Sequence, residues 1–169
     1  MARSEFANIN ISDAKFIFRP NFKGIAGPYN NAGERNFNVI LEGEALEQAL
    51  AYGMNVKVTK PREGYDQVHY VKVNIGYKYR APHIELINSR VKRVLTEQNV
   101  GLIDDYEYEH IDLVIRPNRW HRPNGDSGVN AYLQAMYATI VEDPFVNKYY
   151  DIPSVDEEGE ITMSDEYYD

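Results

Sequence analysis

The sequence contains no cysteine, a single tryptophan and no long apolar run. The lack of cysteine excludes a disulfide scaffold, a thiolate-bound zinc or iron–sulfur centre, and a cysteine nucleophile. No stretch reaches the roughly 18 consecutive apolar residues that a membrane-spanning helix needs, and the first residues lack the apolar segment of a signal peptide. We therefore expect a protein that stays in the cytoplasm.

Basic residues are missing from the C-terminal segment 151–169, which holds eight acids and no Lys or Arg. The preceding residues 1–150 carry 18 acids and 18 bases, so the whole net charge of −8 belongs to that last segment. A segment so acidic and so poor in aliphatic residues buries too little surface to offset the entropy of ordering. The sequence predicts a folded domain over 1–150 and a disordered acidic tail over 151–169.

Aromatic residues are abundant, at 12% of the chain, and most stand in short segments of alternating polarity. Alternation with period two is typical of half-buried β strands, and aromatic residues are common in them. Phe16 and Phe18 are predicted to share one buried face of the first strand, with Phe37 in the core from the second. The early predicted strands are 9–18, 35–41, 55–59, 68–79 and 83–87.

Two further segments complete the predicted domain. Residues 44–52 place apolar side chains at helical spacing, and Gly53 follows as a C-terminal cap, which predicts one short helix. Residues 109–141 alternate on both sides of a Pro-Asn-Gly turn and predict a long β hairpin, with Pro117 ending its first strand. The fold class is therefore all-β or β-dominated. An OB-like Greek-key barrel fits best, and a jelly-roll or immunoglobulin-like sandwich also fits the strand spacing.

Motifs for catalysis and cofactor binding are largely missing. The four histidines show no metal-ligand spacing, and the sequence has no phosphate-binding glycine loop and no nucleophile elbow. Asp104, Asp105 and Asp112 could form a carboxylate cluster for magnesium-dependent phosphodiester cleavage, but acids are also common in turns and on exposed strand faces. We expect a binding protein without metal or cofactor, and a nuclease is the enzymatic alternative.

Aromatic residues interleaved with Arg and Lys are the most informative pattern. Single-stranded nucleic acid is bound by this combination, because cations follow the phosphates and flat rings stack on unpaired bases. The candidates for stacking are Phe22, Tyr29, Tyr70, Tyr79 and Trp120. The candidates for phosphate contact are Arg19, Lys23, Arg35, Lys72, Lys78, Arg116, Arg119 and Arg122.

Five segments together form a pattern typical of one family: Phe18-Arg19-Pro20-Asn21-Phe22-Lys23-Gly24, 29–37, 53–57, 111–117 with Trp120, and 128–136. In these segments the chain resembles a family of small bacteriophage single-stranded DNA-binding proteins. The resemblance covers roughly residues 9–150. It implies an OB fold, binding without a cofactor, and protection of replication or recombination intermediates in the cytoplasm of the host cell.

The acidic end is also similar to the tails of phage and bacterial single-stranded DNA-binding proteins. By that resemblance, the tail recruits replication or recombination proteins, or folds back on the binding groove when DNA is absent. Tyr residues stand here where those tails often carry Phe. The predicted partner-binding residues are Asp165, Glu166, Tyr167, Tyr168 and Asp169.

The pattern and the resemblance together predict a phage protein that coats single-stranded DNA without sequence specificity during replication or recombination. The alternative is a phage interaction protein, either an inhibitor of a host factor or defence system or a scaffold, that binds protein rather than DNA. RNA stays open as a ligand because stacking and phosphate contacts do not by themselves distinguish the two sugars. Exposed strand edges would also permit a homodimer.

Overall fold

The computed structural model describes residues 6–28, 30–89 and 91–141, and strands dominate them. Within these residues there is one α helix, α1 (Gly43–Ala51), and one short 3-10 helix (Val100–Asp105). The β-dominated class with one short α helix is confirmed. The strands are β1 (Ile9–Ile11), β2 (Phe16–Asn21), β3 (Arg35–Leu41), β4 (Lys57–Val58), β5 (His69–Ile75), β6 (His83–Ile87), β7 (Lys92–Leu95), β8 (Tyr108–His121) and β9 (Ser127–Ile140).

The main sheet closes on itself through one bent segment. The hydrogen-bonded order is β1-β8-β9-β5-β3-β2, and only residues 12–15 separate β1 from β2 along the chain. β1 pairs with β8 at one end of this order, and β2 pairs with β3 at the other. Adjacent strands are antiparallel except β5 and β9, which are parallel. With β1 and β2 counted as one bent strand, this is a five-stranded Greek-key barrel, so the predicted OB-like architecture is confirmed.

A second hairpin extends the sheet beyond the barrel. β6 pairs in parallel with residues 135–139 of β9, and β7 pairs with β6. Strand β7 was not predicted from the sequence, because two of its four residues are cations. The 68–79 strand prediction was too long, since β5 ends at Ile75 and the chain then leaves the sheet.

The barrel interior is filled from alternate positions of each strand. Phe37, Val39 and Leu41 of β3 point inward beside Val71, Val73 and Ile75 of β5. Phe37 stacks on Phe22 with ring centroids 5.3 Å apart and an interplanar angle of 9°, and Phe16 lies 4.8 Å from Phe37. Phe22 and Phe37 are fully buried and Phe16 is a partly buried ring packed against the core, so the predicted core position is confirmed for Phe37 and only in part for Phe16.

The helix and the long hairpin follow the sequence closely, with one correction. α1 ends before Gly53, which has a φ of 77° and donates its N–H to Leu50 O, as expected of a helix C-terminal glycine. The predicted hairpin is confirmed, but Pro117 does not end its first strand, which continues to His121. β1 pairs with β8 only as far as Ile115. Beyond this residue β8 has no partner strand on that side among the described residues, and a missing N–H is tolerated at such an edge.

His110 holds the bend between β1 and β2 against β8. Its Nδ1 contacts Asp13 Oδ1, its Nε2 lies 3.0 Å from Asp112 Oδ2, and the Asp13 N–H donates to Asp112 Oδ1 at 3.1 Å. The hydrogen bond to Asp112 and the charges of both carboxylates raise the pKa of His110. When protonated, the imidazole therefore joins two acids at the point where the barrel closes.

The stabilising effect of His110 is expected to depend on pH. Because the pKa of His110 is raised in the folded state, the effect is complete below about pH 6.5, the usual histidine pKa, and is lost as pH rises through the raised value. The difference in melting temperature between the wild type and His110→Gln should shrink across that interval. His121→Gln, at the exposed end of β8, is the control, and an equal pH trend in both variants would contradict the assignment.

Asp104, at the end of the 3-10 helix, anchors the loop that follows β2. Its carboxylate accepts the backbone N–H of Phe22 at 2.9 and 3.0 Å and that of Lys23 at 2.9 Å. Burial raises the pKa of Asp104, against the opposing effect of these two donors. The neighbouring Asp105 instead makes an exposed ion pair with Lys23 Nζ at 2.6 Å.

Asp104→Ala should destabilise the protein by about 1–3 kcal/mol, because it leaves two backbone N–H groups, one of them partly buried, without their acceptor. Asp105→Ala should change stability little, since exposed ion pairs contribute little. Urea unfolding of both variants measures the difference. Equal losses would show that the anchor is not the backbone contact.

Candidate nucleic-acid interface

The outer faces of β3 and β5 form a polar surface on the barrel. The residues between the buried positions point outward, and paired residues of neighbouring strands share a face. Asn36 pairs with Asn74, and Asn38 pairs with Lys72. In OB folds, the face of the second and third barrel strands binds oligonucleotides, and β3 and β5 are those strands here.

This surface continues across β9 and β8 in a single row. Asn74 of β5 is in register with Tyr132 of β9, and Tyr132 is in register with Arg116 of β8. With Asn36 on β3, four side chains on four adjacent strands therefore lie side by side. We call Asn36, Asn74, Tyr132 and Arg116 the transverse row.

Arg116 is the cation of the transverse row. Its guanidinium lies over the Tyr132 ring, 5.1 Å from the centroid. Its Nε is buried and has no hydrogen-bond partner among the described residues. Burial lowers the pKa of Arg116, and the nearby positive charge of Arg80 lowers it further. Both effects disfavour the positive charge of the guanidinium, and a bound anion would stabilise it. This end of the row is therefore suited to a phosphate.

Trp120 lies farther along the same face of β8. It alternates with Asn118 and Arg116, and it pairs with Gly128 of β9. The indole packs so closely on Gly128 that a Cβ there would lie 2.6 Å from Trp120 Cζ2. Arg122, at the hairpin turn, places its guanidinium 4.9 Å from the Trp120 ring centroid. The fold thus presents a partly exposed indole beside an exposed cation.

Phe18 lies on the surface, whereas the sequence predicted it in the core. Its φ is 64°, its side chain is 61% exposed, and the β2–β3 register shifts between Ile17 and Asn21. The prediction that Phe18 is a core residue is therefore wrong. Its ring meets the Tyr70 ring edge to face, with centroids 5.3 Å apart.

Three predicted contact residues do not lie on this outer face. Phe22 is fully buried against Phe37, so the prediction that it stacks on bases is corrected: no face of its ring is free. Arg35 points to the inner side of β3, where its Nε donates to Phe22 O at 2.9 Å and its guanidinium approaches Glu97. Arg119 lies on the opposite face of β8 from Trp120, with its guanidinium 5.2 Å from the Phe6 ring.

The other predicted contact residues lie at the margins or outside the described residues. Arg19 and Lys23 line a depression beside the 3-10 helix, where Lys23 is paired with Asp105. Lys78 and Tyr79 lie in the loop after β5, and Tyr79 is 90% exposed. Of the predicted set, Tyr70, Lys72, Arg116 and Trp120 lie on the outer face. The residues outside the described ranges are Tyr29 and the tail residues Asp165, Glu166, Tyr167, Tyr168 and Asp169.

The residues of the site that were not predicted from the sequence are Tyr132, the two asparagines of the transverse row and Arg80. The predicted hairpin offers a way to find Tyr132. Tyr132 and Arg116 stand the same number of residues from Asn124, near the middle of the turn, and residues so placed face each other across a hairpin. No local pattern in the sequence distinguishes an asparagine that contacts a ligand. Its amide can donate to and accept from the edges of bases.

Comparisons with known proteins identify the family. The whole chain, residues 1–169, matches the family model described as "Putative phage ssDNA-binding domain". The chain belongs to this phage ssDNA-binding domain family. A search of curated proteins finds no match to this chain. In the described part of the chain, no helix is long and apolar enough to cross a membrane, and no group of three or more His, Asp or Glu is arranged to hold a metal.

Solved structures similar to this phage ssDNA-binding domain include the single-stranded DNA-binding protein from bacteriophage Enc34. Its complex with ssDNA is 13% identical, with a TM-score of 0.48, and the match covers 82% of this chain and 89% of that one. A C-terminal truncation of the same protein is 15% identical, with a TM-score of 0.46, and the match covers 82% and 88%. A third structure of it is 15% identical, with a TM-score of 0.47, and the match covers 95% and 89%.

Replacing Gly128 should displace the only tryptophan of this phage ssDNA-binding domain. In Gly128→Ala the new methyl group would overlap the indole, so we expect the ring to move and the emission of Trp120 to shift. Gly27→Ala is the control, because a Cβ at Gly27 meets no atom within 4 Å. Steady-state fluorescence of the free protein measures the effect, and an unchanged Gly128→Ala spectrum would contradict the packing described.

Proposed function

We propose that this chain binds single-stranded DNA without sequence specificity across the outer face of its barrel. The observation that carries the proposal is the transverse row, which brings a cation, a phenol ring and two amides together on four adjacent strands. Membership of the phage ssDNA-binding domain family supports it independently. Cations there would contact phosphates, and exposed rings would stack on bases.

The chemistry of this face favours a single strand over a duplex. Tyr70 and Trp120 offer flat rings, and the bases of a duplex are already stacked and cannot use them. Stacking is tolerant of sequence because every base has a π face, which suits a protein that coats DNA. Lys72 and Arg116 add positive charge locally, although residues 1–150 are neutral as a whole.

The proposal includes a role for DNA binding in the host cell. A chain that coats single strands would protect intermediates of replication or recombination, without cofactor and without catalysis, in the cytoplasm of the host. The acidic tail 151–169 would recruit partner proteins of those processes, with Tyr167 and Tyr168 as the apolar contacts between acids. Family membership supports the DNA-binding part, and the charge pattern of the sequence supports the tail.

Fluorescence anisotropy of a labelled oligodeoxythymidylate, titrated with the full chain over a salt series, tests the proposal. Lys72→Ala and Arg116→Ala should each weaken binding and lower the slope of log affinity against log salt by about 0.7, the value for one phosphate of a single strand. Trp120→Ala should weaken binding about 5- to 150-fold and leave the slope unchanged, because stacking releases no counterions.

Lys92→Ala is the matched control, because Lys92 is an exposed cation on β7, outside the barrel strands. It should keep the wild-type slope. A wild-type protein that ignores the oligonucleotide at low salt, or that binds a matched duplex equally well, would contradict the proposal. Capture of a protein ligand by such a non-binding chain would support the alternative of a phage interaction protein.

A further inference from the structure

Phe18 has a backbone conformation that a bulky residue rarely adopts. Its φ of 64° lies in the left-handed region, which glycine adopts readily and phenylalanine rarely. In a regular strand Phe18 would point inward like Phe16, two positions before it. The irregular pairing of β2 with β3 at this point turns it outward instead, as β bulges are known to re-aim side chains.

Filling of the core does not account for this arrangement. The adjacent core is already filled by the rings of Phe16, Phe22 and Phe37. Phe18 therefore combines two unfavourable features, a strained backbone and an apolar ring that is 61% exposed. Strain that persists in a folded protein is concentrated at binding and catalytic sites, so the observation points to a role in binding.

Tyr70 forms the second wall of the same site. Its ring and the Phe18 ring meet at 82°, with centroids 5.3 Å apart, so together they make a right-angled corner. A planar base can stack on one ring while its edge meets the other, and both geometries are favourable for aromatic groups. Lys72 lies two residues from Tyr70 on the same face of β5 and is exposed, in place for the phosphate of that nucleotide.

We propose that Phe18 and Tyr70 form a corner that binds one unpaired nucleobase of the DNA strand. The inference rests on the proposed function and adds Phe18 as a second wall beside the ring of Tyr70, in a strand of the sheet order distant from that of Trp120. In the strand order, Phe18 is on β2 and Trp120 is on β8, with β3, β5 and β9 between them. The bound strand would cross the barrel from one aromatic position to the other.

Phe18→Gly separates a binding role from a structural one. Glycine accepts the positive φ, so the melting temperature of the full chain should rise or stay the same. Affinity for a labelled oligodeoxythymidylate should fall about 5- to 150-fold, the loss expected for one stacked base. Phe18→Tyr keeps the ring and should retain wild-type affinity. Val94→Ala, which shortens a 54% exposed apolar side chain on β7, is the control for lost surface area.

A double-mutant cycle with Tyr70→Ala tests whether the two rings act together. If they hold one base, the affinity lost by the double variant should be smaller than the two single losses combined. Wild-type affinity in Phe18→Gly, or additive losses in the cycle, would overturn the corner while leaving the proposed function intact. A Phe18→Gly protein that loses stability along with affinity would also overturn it. Failure of the wild type itself to bind the oligonucleotide would reject the proposed function.

Discussion

Strand β9 is the element on which the rest of the structure depends, because three other strands take their register from it. β8 pairs along nearly its whole length on one edge, and β5 and then β6 share the other edge. An irregularity in the β8–β9 pairing leaves Gln134 as an extra residue, between the pairs made by Leu133 and Ala135. β9 therefore belongs to both the barrel and the sheet formed with the second hairpin. Its buried residues stand at odd positions up to 135 and at even positions from 136 onward.

The candidate interface follows from this register. Tyr132 is in line with Arg116 only because the hairpin pairs them, and with Asn74 only because β5 and β9 run parallel. A shift of one residue in either pairing would send these side chains to the core. The parallel pair is thus the constraint that turns polar positions scattered along the sequence into one surface.

Residues 1–150 have no net charge, but their acidic and basic side chains lie in different parts of the fold. A locally basic surface is compatible with this separation. Asp13 and Asp112 are held by His110, and Asp104 accepts backbone N–H groups. These acids are used in closing the barrel and anchoring a loop. Arg116, in contrast, has a buried Nε without a partner among the described residues, beside the charge of Arg80. Local arrangement, and not net charge, decides where an anion is attracted.

The sequence by itself determined the β-dominated class, the helix with its glycine cap, the long hairpin and four of the outer-face residues, because alternation, turn chemistry and cation–aromatic pairing are local patterns. It did not determine for every aromatic residue whether the side chain is buried or exposed. Phe22 and Phe18 have the same local character, yet one is buried in a ring stack and the other is exposed at a positive φ. Only the tertiary structure decided this, because burial depends on strands distant in the sequence and on the irregular pairing that turns Phe18 outward.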